Sequence, residues 1–549
     1  MINSIDGVIS LIYIIAIFII GLWAGIRHKA KSNGSSANEY FLAGKTLRWP
    51  MIGLALFATN ISCIHLVSLA QSGFDSGLLN GNFEWMASFT LILLAVFFVP
   101  FYLKSGVSTL PDFLEKRYDR ASRDWLAIVS VASAIIIHIA FSLLAGGIVL
   151  QTLLGINMYY SVIAIAIITA VYTIVGGLTA VVVTESIQTV VLLAGAIIMS
   201  LVAYNKMGGW QPMVNVLEQT NQLQKLSMMR PHGDASGLPW YAVFLGYPIL
   251  GIWYWCADQT IVQRVLGAKD ENHGRAGSLF CGFMKILPVF IFVMPGLFAW
   301  TLYKTGQLNI DSLKVIHEGK ETINSKGIYT LMILQLVPKG LAGILVAALL
   351  SGLMSQISGA LNSISTLVSY DMYKRWRPQA TDDSLVKVGK IAAGASLVFS
   401  LLLLPLLNRY ESIFNGLNDI IAHIAPPITC VFLLGVFWKG ASAQSAKLTL
   451  YLGSALGVLV FITGKVFPAS LIGQIPFMVM AFYLFCVCVA IQVVTAKLYP
   501  VVYSPQSEVL YWQSPFEALK SPGWKGIGNY KFLSVMLIVI MSVLFWIFR

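Results

Sequence analysis

The sequence predicts an all-α protein that crosses a membrane many times, and three observations carry the prediction. Hydrophobic residues make up 57% of the 549 positions and charged residues 11%, against the roughly 25% charged of a soluble globular chain. Apolar runs of about 20 residues, the length of helix that spans hydrocarbon, recur along the whole chain. Two of these runs are interrupted in mid-membrane: 51–70 by Thr59, Asn60, Ser62 and His65, and 244–262 by Gly246, Pro248 and Gly251. Such interruptions are tolerated only where the segment faces protein or a water-filled cavity.

The runs fall near 7–26, 50–72, 84–103, 125–153, 157–177, 180–204, 239–262, 278–303, 328–370, 387–407, 411–438, 446–464, 473–495 and 531–548, about fourteen spans. The first has no Lys or Arg before Arg27 and no small-residue cleavage site, so it reads as a retained helix rather than a signal peptide. Basic residues follow span one (Arg27, Lys29, Lys31, Lys45, Arg48) and span three (Lys104, Lys116, Arg117, Arg120, Arg123), whereas loops 74–82 and 154–158 have none. The positive-inside rule then predicts both termini outside, with the basic loops 264–275, 374–390 and 496–530 inside. The long 328–370 run is expected to kink at Pro338 and Gly340.

The net charge of +12 is read as this topology signal plus contact with anionic membrane lipids, and argues against nucleic-acid binding. Cys63, Cys256, Cys281, Cys430, Cys486 and Cys488 all lie in apolar runs without metal-ligand clustering, so they are expected to be buried small hydrophobes. The one loop glycosylation triplet, Asn33-Gly34-Ser35, is predicted cytoplasmic and out of reach of that modification. A plasma membrane, in particular a bacterial inner membrane, is the expected setting. No polar stretch is long enough for a separate soluble domain.

Chemistry concentrates in the interrupted runs. The second carries Tyr254, Trp255, Asp258, Gln259 and Gln263, and the next run holds a lone Lys285. An ionisable group that deep is expensive unless it meets a partner or a substrate, and its depth is too great for snorkelling. Glu84, near the outer end of its span, reads equally as a solvated carboxylate or a ligand. His138 and His423 read as packing or water-cavity residues. Asp258, Gln259 and Arg264 suit an internal polar network toward the cytoplasm. The two interrupted runs lie about five spans apart, an odd spacing that turns the second copy upside down, the sign of an inverted repeat with a midplane site. A transporter is thus expected; an enzyme is disfavoured, since no metal cluster, nucleophile triad or phosphate loop occurs at usable spacing.

A set of strings in fixed order sharpens this: GluTyrPheLeuAlaGly at 39–44, AlaThrAsnIle at 58–61 with His65, GlyAsnPheGluTrp at 81–85, TrpTyrTrpCysAlaAspGln at 253–259 with IleValGlnArg at 261–264, Lys285, LeuAsnSer at 361–363, AlaProProIle at 425–428 and PheTrpLys at 437–439. Together they closely resemble the sodium/glucose cotransporter branch of the solute:sodium symporter family. The resemblance implies a LeuT-type fold of two inverted five-helix repeats, placed at about 48–204 and 238–438 within a core of 48–438. A peripheral helix with its loop at 1–47 and peripheral helices at 439–549 flank that core. It also implies sodium-coupled uptake of a sugar, glucose- or galactose-like, or a related polyol.

By position, the resemblance puts sugar ligands at Asn60, His65, Glu84, Trp255 and Lys285, with Tyr254 closing the site from the cytoplasm and Leu69, Phe83 and Phe414 forming an outer hydrophobic gate. Three departures stand out. Asn418 replaces a sugar-binding glutamine one methylene longer. The sodium site implied at the carbonyls of Ala58 and Ile61 and at Gly352, Ser355 and Gln356 has a glutamine in place of one of two adjacent serines. Glu185 stands where an aspartate associated with sodium is expected. A sugar-gated sensor or sodium-leak channel on the same fold, or a symporter of another small solute, remains an open alternative at this stage. The oligomeric state is not readable.

Overall fold

The computed structural model describes residues 3–31, 37–234, 236–317, 320–408, 413–502 and 507–549, without the side chains of 28–31, 317, 320 and 413–415. Eleven described helices are long and apolar enough to cross a membrane. The two interrupted runs, neither a continuous helix of membrane length, together with the fusion of 157–177 and 180–204 into one helix explain why this differs from fourteen apolar stretches. The first is a pair, Trp49–Asn60 and Cys63–Ser76. Ile61 and Ser62 between them are extended, at φ −79°, ψ 103° and φ −105°, ψ 177°. Ser62 stops the chain there because its hydroxyl accepts from the Ile64 N–H, and the His65 ring accepts from the Ser62 N–H, a reciprocal cap that satisfies donors freed by the break. The second is Trp240–Ile252, a wide π-helical turn at Trp253–Ala257, then extended Asp258 and the helix Gln259–Leu266. Asp258 caps that helix by accepting from the Thr260 and Ile261 N–H groups.

The runs at 157–177 and 180–204 form one helical trace, Met158–Met207, bent where Gly177 takes φ 61°, ψ −159°. Only glycine fits, since a Cβ there would lie 2.5 Å from the Tyr40 carbonyl oxygen. The kink expected in 328–370 is instead a full break. Ile328–Leu336 ends, Val337 is extended, Gly340 takes φ 90°, and Leu341–Leu367 begins anew. Asp6, from the first helix Ser4–Lys31, accepts from the Gly340 and Gly343 N–H groups and so covers that new helix start.

Leu341–Leu367 is the centre of the molecule. All its residues but Leu341 and Ile344 are buried, against Met158–Met207, Ser4–Lys31 and Trp49–Asn60. The outer helices Ala443–Val466, Phe477–Leu498 and Tyr530–Ile547 expose apolar faces such as Val458, Leu459, Val487 and Val535, as lipid-facing helices do. Five of the six cysteines are buried as expected; Cys486 is exposed on the second of these helices.

The loops assigned to opposite sides gather at opposite ends. At one end Lys225 donates to the Phe74 and Asp75 carbonyls, Ser325 to Asp75, and the Met228 N–H to the Phe548 carbonyl. Burial there pushes the Lys225 ammonium down to about 8, with Asp75 opposing. At the other end Leu47 pairs with the 267–269 backbone, Ala37 donates to Asp382, and Arg123 bridges Glu115 and Asp371. Among the described residues the one sheet is a two-stranded antiparallel hairpin, Lys314–His317 with Lys320–Ile323, in the loop before Ile328.

Candidate functional site

The two breaks face one another across a narrow, partly open cavity. Asn60 and His65 flank the first break and Tyr254 and Trp255 belong to the wide turn before the second; all four line the cavity, with Phe83, Glu84, Lys285, Gln356 and Asn418. At its wall the Lys285 ammonium donates to Asn60 Oδ1 at 2.6 Å and to Glu84 Oε2. It also lies 5.6 Å from the Trp255 ring centroid, within cation–π range. Glu84 and Lys285 are only 2% and 1% exposed, so the solvated reading of Glu84 fails. The carboxylate needs the ammonium because an isolated buried charge is prohibitive.

His65 is fixed by the first break. Its Nδ1 accepts from the Ser62 N–H at 3.2 Å, which puts the proton on Nε2, 3.8 Å from Glu84 Oε1. Tyr254 and Trp255 pack edge to face at 5.3 Å. Asn418 lines the cavity from the Ile413–Phe437 helix. Of the residues expected to form the outer gate, Phe83 lines the cavity and its ring centroid sits 5.9 Å from that of Tyr247. Leu69 is buried in Cys63–Ser76 without lining it, and the side chain of Phe414 lies outside the described residues.

The second group of residues meets where Leu341–Leu367 crosses the first break. A Cβ on Gly352 would lie 2.9 Å from the Cys63 nitrogen and from the Ser62 carbonyl carbon, so this glycine permits the backbone approach. One turn on, Ser355 Oγ donates to the Ala58 carbonyl at 3.0 Å and to Gly352 at 3.2 Å. Ala58 is among the last residues of its half-helix, where carbonyls lack helical partners. Gly352, Ser355 and Gln356 share one face by their spacing.

Asp258 and Arg264, expected in one internal polar network, enter two separate buried ones whose partners sequence reasoning did not name. Glu185 accepts from Arg264 Nη2 at 2.5 Å and from Thr59 Oγ1 at 3.1 Å, with both charges fully buried. Gly359 makes room, since a Cβ there would lie 2.4 Å from Arg264 Nη2. Thus Glu185 reaches the first broken helix beside Ala58, but in an ion pair. The other network is Asp258–His138–Gln356, where His138, read as a packing or water-cavity residue, lines the cavity and is hydrogen-bonded on both ring nitrogens. The available signal was a polar side chain in mid-span, which by itself names no partner.

Comparison with known proteins shows the fold and the family. The chain is 33% identical over 482 residues to sodium/glucose cotransporter 1 of Ovis aries, covering 84% of this chain and 72% of that one. It is 34% identical over 485 residues to sodium/glucose cotransporter 2 of Rattus norvegicus, covering 83% and 71%. Among solved structures, a Na+-coupled sialic acid symporter in a substrate-bound outward-open state superposes with a TM-score of 0.77 at 23% identity, covering 91% of this chain and 99% of that one. That likeness establishes the LeuT-type fold. The sequence pattern of the sodium:solute symporter family matches residues 40–453. The protein is therefore a multi-pass membrane transporter and no enzyme, with sodium as its coupling ion: the chain belongs to the sodium:solute symporter family.

Proposed function

We propose that this symporter carries a hexose or a related polyol by alternating access. The observation that carries the reading is Lys285, held between Asn60 and Glu84 beside the Trp255 face on the wall of the cavity. A sugar is neutral and ringed with hydroxyls, so it needs donors, acceptors and a flat apolar surface. Lys285 and His65 donate, Glu84 accepts, and Asn60 and Asn418 can do both. The two charges cancel, whereas a carboxylate substrate would call for an uncompensated positive element. Tyr254 closes the cytoplasmic side, and Leu69, Phe83 and Phe414 the outer side. The sugar-bearing names of the relatives add support. Those relatives are animal proteins, so the bacterial inner membrane gains nothing from them.

For sodium we propose the carbonyls of Ala58 and Ile61 with Gly352, Ser355 and Gln356. Hard cations take oxygen ligands, and the Ala58 carbonyl and Ser355 hydroxyl already converge at 3.0 Å. Gln356 Oε1 adds a buried oxygen with no hydrogen-bond partner among the described residues. A bound sodium supplies positive charge between the first broken helix and Leu341–Leu367. The core consists of inverted repeats at about 48–204 and 238–438, which rock about the site. One charge across about 100 mV gives roughly 2.3 kcal/mol, and a tenfold sodium gradient about 1.4 kcal/mol, together enough for about 500-fold accumulation. The test is tracer uptake into proteoliposomes with a panel of sugars under imposed sodium or proton gradients. Sodium-driven accumulation of a sugar is expected; current without accumulation would identify a sensor or leak channel, and accumulation of a different solute class would overturn the sugar reading.

A further inference from the structure

His138 lies in a wide π-helical turn, Ala134–Ala140, and joins the second broken helix to Leu341–Leu367. Its Nε2 is 3.1 Å from Asp258 Oδ2 and its Nδ1 is 2.6 Å from Gln356 Nε2. All three residues are at least 96% buried, with exposures of 1%, 4% and 4%. Asp258 Oδ1 is taken by the Thr260 and Ile261 N–H groups, which turns Oδ2 toward the ring. A carboxylate only accepts, so in a neutral ring the proton is on Nε2 and Nδ1 is left as an acceptor. The Gln356 amide must therefore present its NH2 to Nδ1, and its oxygen faces the opposite way. That oxygen is the buried Oε1 without a partner among the described residues, an arrangement that demands an explanation.

We propose that His138 and Asp258 are positioning residues for the coupling cation: they clamp the Gln356 amide by its nitrogen and thereby offer Oε1 as an oxygen ligand. Gln356 directly follows Ser355, whose hydroxyl meets the Ala58 carbonyl at 3.0 Å. The serine implied at 356 by family resemblance needs no such clamp, because a hydroxyl rotates freely to suit its partner. A glutamine amide has two chemically different ends, and only one of them can face a cation. The relay resolves that ambiguity. This inference rests on the cation site proposed above.

The test uses the purified full chain without sugar, reading the sodium concentration at half-maximal thermal stabilisation, with choline chloride holding ionic strength constant. Gln356→Leu should raise that midpoint at least about tenfold, since it removes a ligand. Asp258→Asn keeps the cap and the shape but donates to Nε2, moving the ring proton to Nδ1 and drawing the amide oxygen onto it. It should raise the midpoint about ten- to a hundredfold, the usual cost of losing a partner that orients a metal ligand. In a Gln356→Ser background the same Asp258→Asn change should leave the midpoint unchanged. His138→Phe, which keeps the packing, provides the same comparison should Asp258→Asn fold poorly. An unchanged midpoint in Asp258→Asn or His138→Phe, or an equal shift in both backgrounds, overturns the positioning role. An unchanged midpoint in Gln356→Leu instead overturns the cation site on which the role depends.

Discussion

Glu84→Gln is the most informative single change at the proposed sugar site, because it keeps the side chain's shape and removes only its charge. The wild-type carboxylate accepts from Lys285, and both groups are buried, at 2% and 1% exposure. Without it the ammonium retains Asn60 Oδ1 as its hydrogen-bond partner at 2.6 Å. Leaving a buried charge uncompensated costs about 3–5 kcal/mol of stability. Separately, losing one charge-assisted hydrogen bond to a sugar hydroxyl costs about 1.5–3 kcal/mol, roughly 10- to 150-fold in half-saturating sugar concentration. Thermal unfolding in detergent reads the first loss, and tracer uptake into proteoliposomes the second. The double variant Glu84→Gln with Lys285→Met removes the orphaned charge, so part of the stability should return while sugar uptake stays weakened. Glu84→Ala and Lys285→Ala alone should each abolish or greatly weaken uptake without preventing insertion. Wild-type sugar affinity in Glu84→Gln, or a double variant no more stable than the single, would refute the charge-compensated sugar site.

Ser355→Ala removes a hydroxyl from the proposed cation site and should raise the sodium concentration for half-maximal uptake about tenfold; an unchanged value argues against that ligand. Gly359→Ala places a methyl 2.4 Å from Arg264 Nη2 and 3.0 Å from Glu185 Oε1. It should destabilise the protein by about 3 kcal/mol through the broken buried pair, read as a lowered unfolding temperature. For topology, residues 77–81 are buried, so the outer probe is better placed at exposed Gln307 in the 304–327 loop. In a Cys486→Ala background, Gln307→Cys should react with an impermeant thiol reagent from outside, and exposed Arg120→Cys should not; the reverse pattern overturns the orientation.

The fold was largely legible because the bilayer imposes a coarse rule on sequence: spans must be apolar, and polar interruptions must face inward. Ser62, with its neighbours Asn60 and His65, marked the first break, while Gly177 marks a bend whose need for glycine comes from the Tyr40 carbonyl, distant in sequence. The family resemblance put Glu84 and Lys285 in one site, where their charges cancel, whereas Glu84 by itself read equally as a solvated carboxylate. That Asp258 and Arg264 enter internal polar networks was legible, but their partners Glu185, His138 and Gln356 were not. Each of these residues has several plausible partners among the polar groups of other spans, and the choice depends on how the helices turn. The break at 337–340 was underestimated because the Asp6 carboxylate that covers the Leu341 helix start comes from the opposite end of the chain.

Five wide π-helical turns are present among the described residues, at Leu94–Phe98, Ala134–Ala140, Trp253–Ala257, Val289–Val293 and Val368–Tyr373. Such a turn accommodates one residue more than an ordinary α-helical turn, and each residue of an α-helix rotates the side-chain direction by about 100°. Deleting one residue within 134–140 would preserve a membrane-spanning helix while swinging one side of it a quarter-turn or more relative to the other. His138 would then lose Asp258 and Gln356 together, although every residue named in the site remained in the sequence. A one-residue length difference inside these turns is therefore a re-aiming of the wall, and the composition of the spans gives no warning of it.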